Sequence, residues 1–200
     1  MNNGTRKKVI TSFPLNAYNS IDKQWKGIDS TLKKIPRGYK SEFGKYQVTL
    51  SSNRKVSITD GISAISWKYI DKQDETSEIM SKLRPIERIS KPNKYFTEGR
   101  ALYENVEDNV DLDYCITGNG VKENIVLNGT SDEYTYRFAL NTKEYEVQLS
   151  EESGDIAVFR PTEEIPEFTM PKPFMYDALG VRNEAVSYRL EKVKKNNYMD

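Results

Sequence analysis

The chain has 200 residues, with 30 basic and 30 acidic side chains in balance, no histidine and one cysteine. Its length accommodates one large domain or two small ones, and the charge balance argues against the broad cationic field that draws in nucleic acid or an anionic membrane surface. Without histidine there is no imidazole base, no Ser-His or Cys-His nucleophile pair and no His-ligated zinc.

The start, MNNGTRKKVITSF, lacks the apolar stretch of a signal peptide, and no apolar run approaches the roughly 18 residues of a membrane span. No membrane insertion is expected, and any export signal is expected to lie outside this chain. The single Cys115 forms no internal disulfide, which suits both a reducing cytosol and an exported protein that does without disulfides.

Tyrosines, 13 of them against two tryptophans and seven phenylalanines, are often spaced two apart and favour strands. Tyr46, Val48 and Leu50 alternate, Val56 and Ile58 follow after Ser51-Ser52-Asn53, and Asp60-Gly61 turns the chain into a strand carrying Ile65, Trp67 and Tyr69. Residues 71 to 97 break this rhythm. Ile79, Met80 and Leu83 fit one helical turn before Pro85, but the charge-rich, proline-bounded stretch reads as a long connection.

From Val110 the alternation returns, with Leu112, Tyr114 and Ile116 on one face and Asp111, Asp113, Cys115 and Thr117 on the other. Gly118-Asn119-Gly120 supplies a hairpin turn, and Val121, Glu123, Ile125 and Leu127 share a face of the return strand. Tyr134, Tyr136, Phe138 and Leu140 form a third strand, Tyr145, Val147 and Leu149 a fourth, and Ile156 to Phe159 a fifth. The expected fold is all-β: an antiparallel β-sandwich built from meandering hairpins, with the N-terminal half as the second sheet. The division is either an N-terminal β subdomain with its connecting segment (1–92) stacked on a C-terminal β-meander subdomain (93–200), or one domain over 1–200.

Three constellations invite a chemical reading. Glu104, Glu107, Asp108, Asp111 and Asp113 could supply the paired carboxyls of a glycoside hydrolase, although alternation places Asp111 and Asp113 on a solvated face. Asp108, Asp111 and Asp113, with Asn109, offer oxygen donors for calcium, without EF-hand spacing. Trp25, Trp67 and Tyr69, with Tyr18 and Tyr39, could stack on sugar rings, though Trp67 is in phase with core residues. Cys115 has no neighbouring base to activate it, and the lysine doublets, Lys33-Lys34 among them, read as edge protection.

Five stretches in order, YNSIDKQWKGIDSTL (18–32), ISAISWKYI (62–70), LYENVEDNVDLDYCITGNGVKENIVL (102–127), YTYRFALNT (134–142) and MPKPFMYDALG (170–180), resemble the N-terminal non-repeat region of Gram-positive wall-associated RHS/YD-repeat proteins. The resemblance runs from about Pro14 to Leu190. It implies a β-rich scaffold or adaptor module of a large secreted or wall-associated polypeptide, with no catalytic residue, so the expectation is that the chain is not an enzyme. The expected partners are the rest of that polypeptide and cell-wall glycan, with no nucleic acid; no cofactor is expected beyond calcium. A carbohydrate-binding module is the alternative and a glycosidase the third reading. Tyr176-Asp177 with Gly180 matches a single YD unit, where a repeat shell needs many.

Overall fold

The computed structural model describes residues 16–19, 23–43, 46–70, 82–86, 99–118, 120–130, 134–142, 144–192 and 197–199. Among these there are strands and no helix: β1 (Asn16–Asn19), β2 (Gln24–Gly27), β3 (Lys33–Ile35), β4 (Gly38–Phe43), β5 (Tyr46–Ser51), β6 (Lys55–Thr59), β7 (Ala64–Ile70), β8 (Lys82–Pro85), β9 (Gly99–Glu107) and β10 (Val110–Thr117). They continue with β11 (Gly120–Leu127), β12 (Arg137–Asn141), β13 (Glu146–Leu149), β14 (Ile156–Phe159), β15 (Phe168–Met170), β16 (Met175–Tyr176), β17 (Arg182–Asn183), β18 (Leu190–Lys192) and β19 (Asn197–Met199). Every pairing is antiparallel.

An eight-stranded sheet runs in the order β18-β19-β12-β7-β6-β5-β4-β3, and a four-stranded sheet in the order β11-β10-β9-β8. A three-stranded sheet, β13-β14-β15, and two small hairpins, β1-β2 and β16-β17, complete the pairing. Strand alternation turns Val48, Leu50, Val56, Ile65 and Tyr69 of the large sheet to one side, and Ala101, Tyr103, Leu112, Tyr114 and Ile116 of the four-stranded sheet to one side. These residues share a single buried cluster that also takes in Phe138, Leu140, Ile156 and Val158. The cluster therefore draws on the chain both before and after residue 92.

Polar ties cross between the sheets. The Tyr103 hydroxyl donates to the Ser51 carbonyl at 2.8 Å, and the Ala64 N–H donates to the Tyr145 hydroxyl at 3.0 Å. Arg160 also donates to the Ser63 hydroxyl. At the start of β9 the backbone passes so close to the segment after β2 that a Cβ on Gly99 would lie 2.0 Å from the Ser30 carbonyl oxygen. Only glycine fits there.

The hairpins β5-β6-β7 and β10-β11 and the short β14 follow the sequence pattern, whereas the expected continuous meander from 110 to 149 does not form. Phe138 pairs with Tyr69, so β12 leaves β11 and joins the large sheet. That pairing buries Phe138 and Leu140 on the face shared with Tyr69 and Trp67. β13 then starts a third sheet. Of the supposed helical turn, Ile79 and Met80 lie outside the described residues; Leu83 is in β8, opposite Tyr103.

Phe138 is buried, with its ring edge-on to Tyr69 at 5.3 Å. Phe138→Ala is expected to cost about 3–5 kcal/mol, the usual penalty for a buried aromatic. Denaturant melts measure it; a change below about 1 kcal/mol would show that this ring does not carry the inter-sheet packing.

Candidate functional site: carboxylates of the four-stranded sheet

The acidic stretch before and along β10 is built into one hairpin. Asp108 and Asn109 form its turn, Asn109 with φ 62°, and Asp108 is exposed. The register of β9 on β10 slips between Val110 and Leu112, with Asn105 at φ 49°, which marks a bulge. Asp111 holds that bulge: its carboxylate accepts from the Asn105 N–H at 2.7 Å and from the Asn128 amide at 2.9 Å.

Asp113 is not on a solvated face. It is 3% exposed and accepts a two-pronged contact from Arg100, at 2.8 and 2.7 Å, and a third bond from the Asn124 amide at 3.2 Å. Alternation correctly turns it away from Leu112 and Tyr114, but Arg100 and Asn124 cover it. On the same outer face Glu104 pairs with Lys82 and Arg84, whose hydrogen bonds hold its carboxyl below the usual range. Asp108, Asp111 and Asp113 are thus spread over a turn, a bulge and an ion pair. Among the described residues no three acidic or cysteine side chains are grouped to hold a metal ion.

The carboxyl facing inward is one that the sequence reading did not single out. Glu123 stands opposite Tyr114 on β11 and accepts from the Trp67 indole N–H of the large sheet at 2.8 Å. Burial holds its carboxyl above the usual range, with the facing Tyr114 hydroxyl and the Trp67 N–H opposing that shift. Burial first, and the Glu123 charge second, push the phenols of Tyr103 and Tyr114 well up; Tyr188 rises to about 12, with Asp155 a smaller cause. Its position in phase with Val121 and Ile125 was the available signal.

Of the aromatic candidates, Trp67 points inward to Glu123 and Tyr69 is 1% exposed in the core. Trp25 is 71% exposed on β2, opposite Tyr18 at 5.6 Å and an interplanar angle of 63°. The structure does not bring Trp25 together with the other two: it belongs to the separate β1-β2 hairpin.

No protein-family model matches the chain, and no solved structure matches it. It is similar to the tRNA(Glu)-specific nuclease WapA of Bacillus subtilis subsp. natto (strain BEST195), 24% identical over 207 residues, and to the tRNA nuclease WapA of Bacillus subtilis (strain 168), 24% identical over 208 residues. Each match covers 94% of this chain and 8% of the relative, so the chain spans a small part of the length of these curated relatives. Their names correct two expectations. A context without an enzyme, and partners that exclude nucleic acid, do not stand beside relatives named as tRNA nucleases. Whole-chain charge balance carried the second expectation, and it describes an average field rather than any one surface.

Two variants test the carboxylates. Asp113→Ala removes a buried acceptor and is expected to cost about 1–2 kcal/mol in denaturant melts, the Arg100 side being discounted because its guanidinium is half exposed. A neutral outcome would return Asp113 to the solvated face. For Glu123 the folded-state pKa is raised, so its contribution to stability is fully present below the unfolded carboxyl value, about 4.3, and is lost as pH rises through the folded value. Glu123→Gln is therefore expected to gain on the parent protein in thermal melts as pH increases from 4 to neutrality. A pH-independent difference would contradict the burial.

Proposed function

We propose that this chain is a β-sheet scaffold module of a much longer secreted or wall-associated polypeptide of RHS/YD-repeat type, related to the tRNA nucleases it resembles. The observation that carries this reading is the shape of the match: nearly the whole chain aligns with a small fraction of each relative. The structure supports it through the use of its polar groups. Asp111 braces a bulge, Asp113 is tied to Arg100, and Glu123 ties β11 to the opposing sheet through Trp67. The five motif stretches support the wall-associated setting, and the names of the two relatives support tRNA as the substrate of the whole polypeptide.

Exchange of the matched segment in the Bacillus subtilis WapA polypeptide tests the reading. Deletion of that segment is expected to lower the amount and protease resistance of the polypeptide. Insertion of this chain in its place is expected to restore both, and insertion of its Phe138→Ala form to restore them only in part. If deletion left amount and protease resistance unchanged while abolishing tRNA cleavage, the scaffold reading would be overturned and the chemistry would move into this module.

A further inference from the structure

We propose that two copies of this chain pair edge to edge through β11, joining their four-stranded sheets into one antiparallel sheet of eight strands. This surface has no part in the scaffold reading above.

β11 is an edge of the four-stranded sheet, with β10 on one side and no strand on the other. Thr117 and Gly120, the last pair before the turn, close the hairpin as a hydrogen-bonded pair. From there the ladder alternates: Lys122, Asn124 and Val126 bond to β10, while Val121, Glu123, Ile125 and Leu127 direct N–H and C=O to the open edge. Among the described residues no hydrogen bond reaches these outward groups.

The edges of the other two larger sheets are short: β3, β15 and β18 have three residues each and β13 has four. β8, at the far end of the four-stranded sheet, carries Lys82, Arg84 and Pro85, residues that keep an edge from pairing. β11 runs for eight residues with one cation, Lys122, and ends in Val126 and Leu127, 36% and 43% exposed. A long edge of this composition is a template for a further strand.

The sequence of β11 is complementary to itself when laid antiparallel. With Asn124 opposite its own copy, Lys122 faces Val126, Val121 faces Leu127 and Glu123 faces Ile125, so no like charges meet directly. A slide of two residues one way sets Glu123 against Glu123, and the other way carries Lys122 past the end of the facing strand. The matched register therefore also gives the longest overlap. It covers Leu127 and sets Val126 against the Lys122 stem, beside the exposed Phe174 ring that lies 5.9 Å from the Lys122 ammonium. The two Glu123 carboxyls become diagonal neighbours, each already held by its own Trp67. Such pairing is two-fold and uses up both open edges, so with β8 blunted the assembly closes at two chains.

Sedimentation equilibrium of the purified chain over a concentration series is expected to show a reversible monomer–dimer equilibrium. Val126→Lys is accommodated within one chain, where Val126 faces Asp111, but it sets lysine against Lys122 of the other copy at both ends of the interface. It is expected to weaken self-association about tenfold. Adding Lys122→Glu to Val126→Lys turns both repulsions into attractions and is expected to restore the dimer. Ile62→Lys, at an exposed apolar residue of the β6-β7 turn, is expected to leave it at the parent value. Circular dichroism melts confirm that each variant is folded. A chain monomeric at every concentration, growth beyond the dimer, an equal effect of Ile62→Lys, or failure of the double variant to recover would each overturn the pairing. The monomeric outcome would assign the edge to a strand of another polypeptide.

Discussion

The apolar inner faces of the two larger sheets leave water by covering each other, with Ile156 and Val158 of β14 joining the same core, because the described residues contain no helix to do it. This requirement fixes much else. A shift of one residue in any strand would carry a whole apolar row to the solvent side, so register across the large sheet is pinned by the row Leu50, Val56, Trp67, Leu140. It also dictates where backbones must approach closely. Gly99 exists as glycine because β9 enters the four-stranded sheet against the Ser30 carbonyl, and a side chain there would push β9 off the segment after β2.

Apolar burial has no direction, and two flat faces held by it alone could slide. The polar groups inside the sandwich remove that freedom. Tyr103 reaches the Ser51 carbonyl, and Trp67 reaches Glu123, each joining one strand of the four-stranded sheet to one strand of the other. Glu123 is the costly member, since its charge is disfavoured by burial. Burial first, and the same carboxyl second, raise the phenols around it, which stay neutral and protonated and so remain compatible with the interior.

How far the fold was legible depended on how local each pairing is. The β5-β6-β7 and β10-β11 hairpins join neighbours through short turns, and alternation with Asp60-Gly61 or Gly118-Asn119-Gly120 was enough to find them. β12 was found as a strand but placed in the wrong sheet, because its partner Tyr69 lies far back in the sequence and no local pattern names it. β9 was hidden by its outward acidic and amide side chains, which drew attention from Ala101 and Tyr103 on the inward phase. At the site, Asp113 was assigned to solvent because alternation reports only which face a residue takes. It cannot report that Arg100 will lie over that face. Glu123 was illegible for the converse reason: its phase with Val121 and Ile125 reports burial, and only the distant Trp67 supplies the donor that a buried carboxyl needs.

Charge was the least legible property, since it is summed over the chain but acts over a surface. The 30 basic and 30 acidic residues cancel in the sum, yet antiparallel register distributes them unequally. On the four-stranded sheet, cations and carboxylates meet as cross-strand or diagonal neighbours and neutralise one another. On the large sheet, register sets lysine against lysine, and fields from charges within about 10 Å of each other add before salt screens them. A chain of zero net charge can therefore present one self-compensated face and one cationic face. Composition reports only the average, whereas strand register decides the local field.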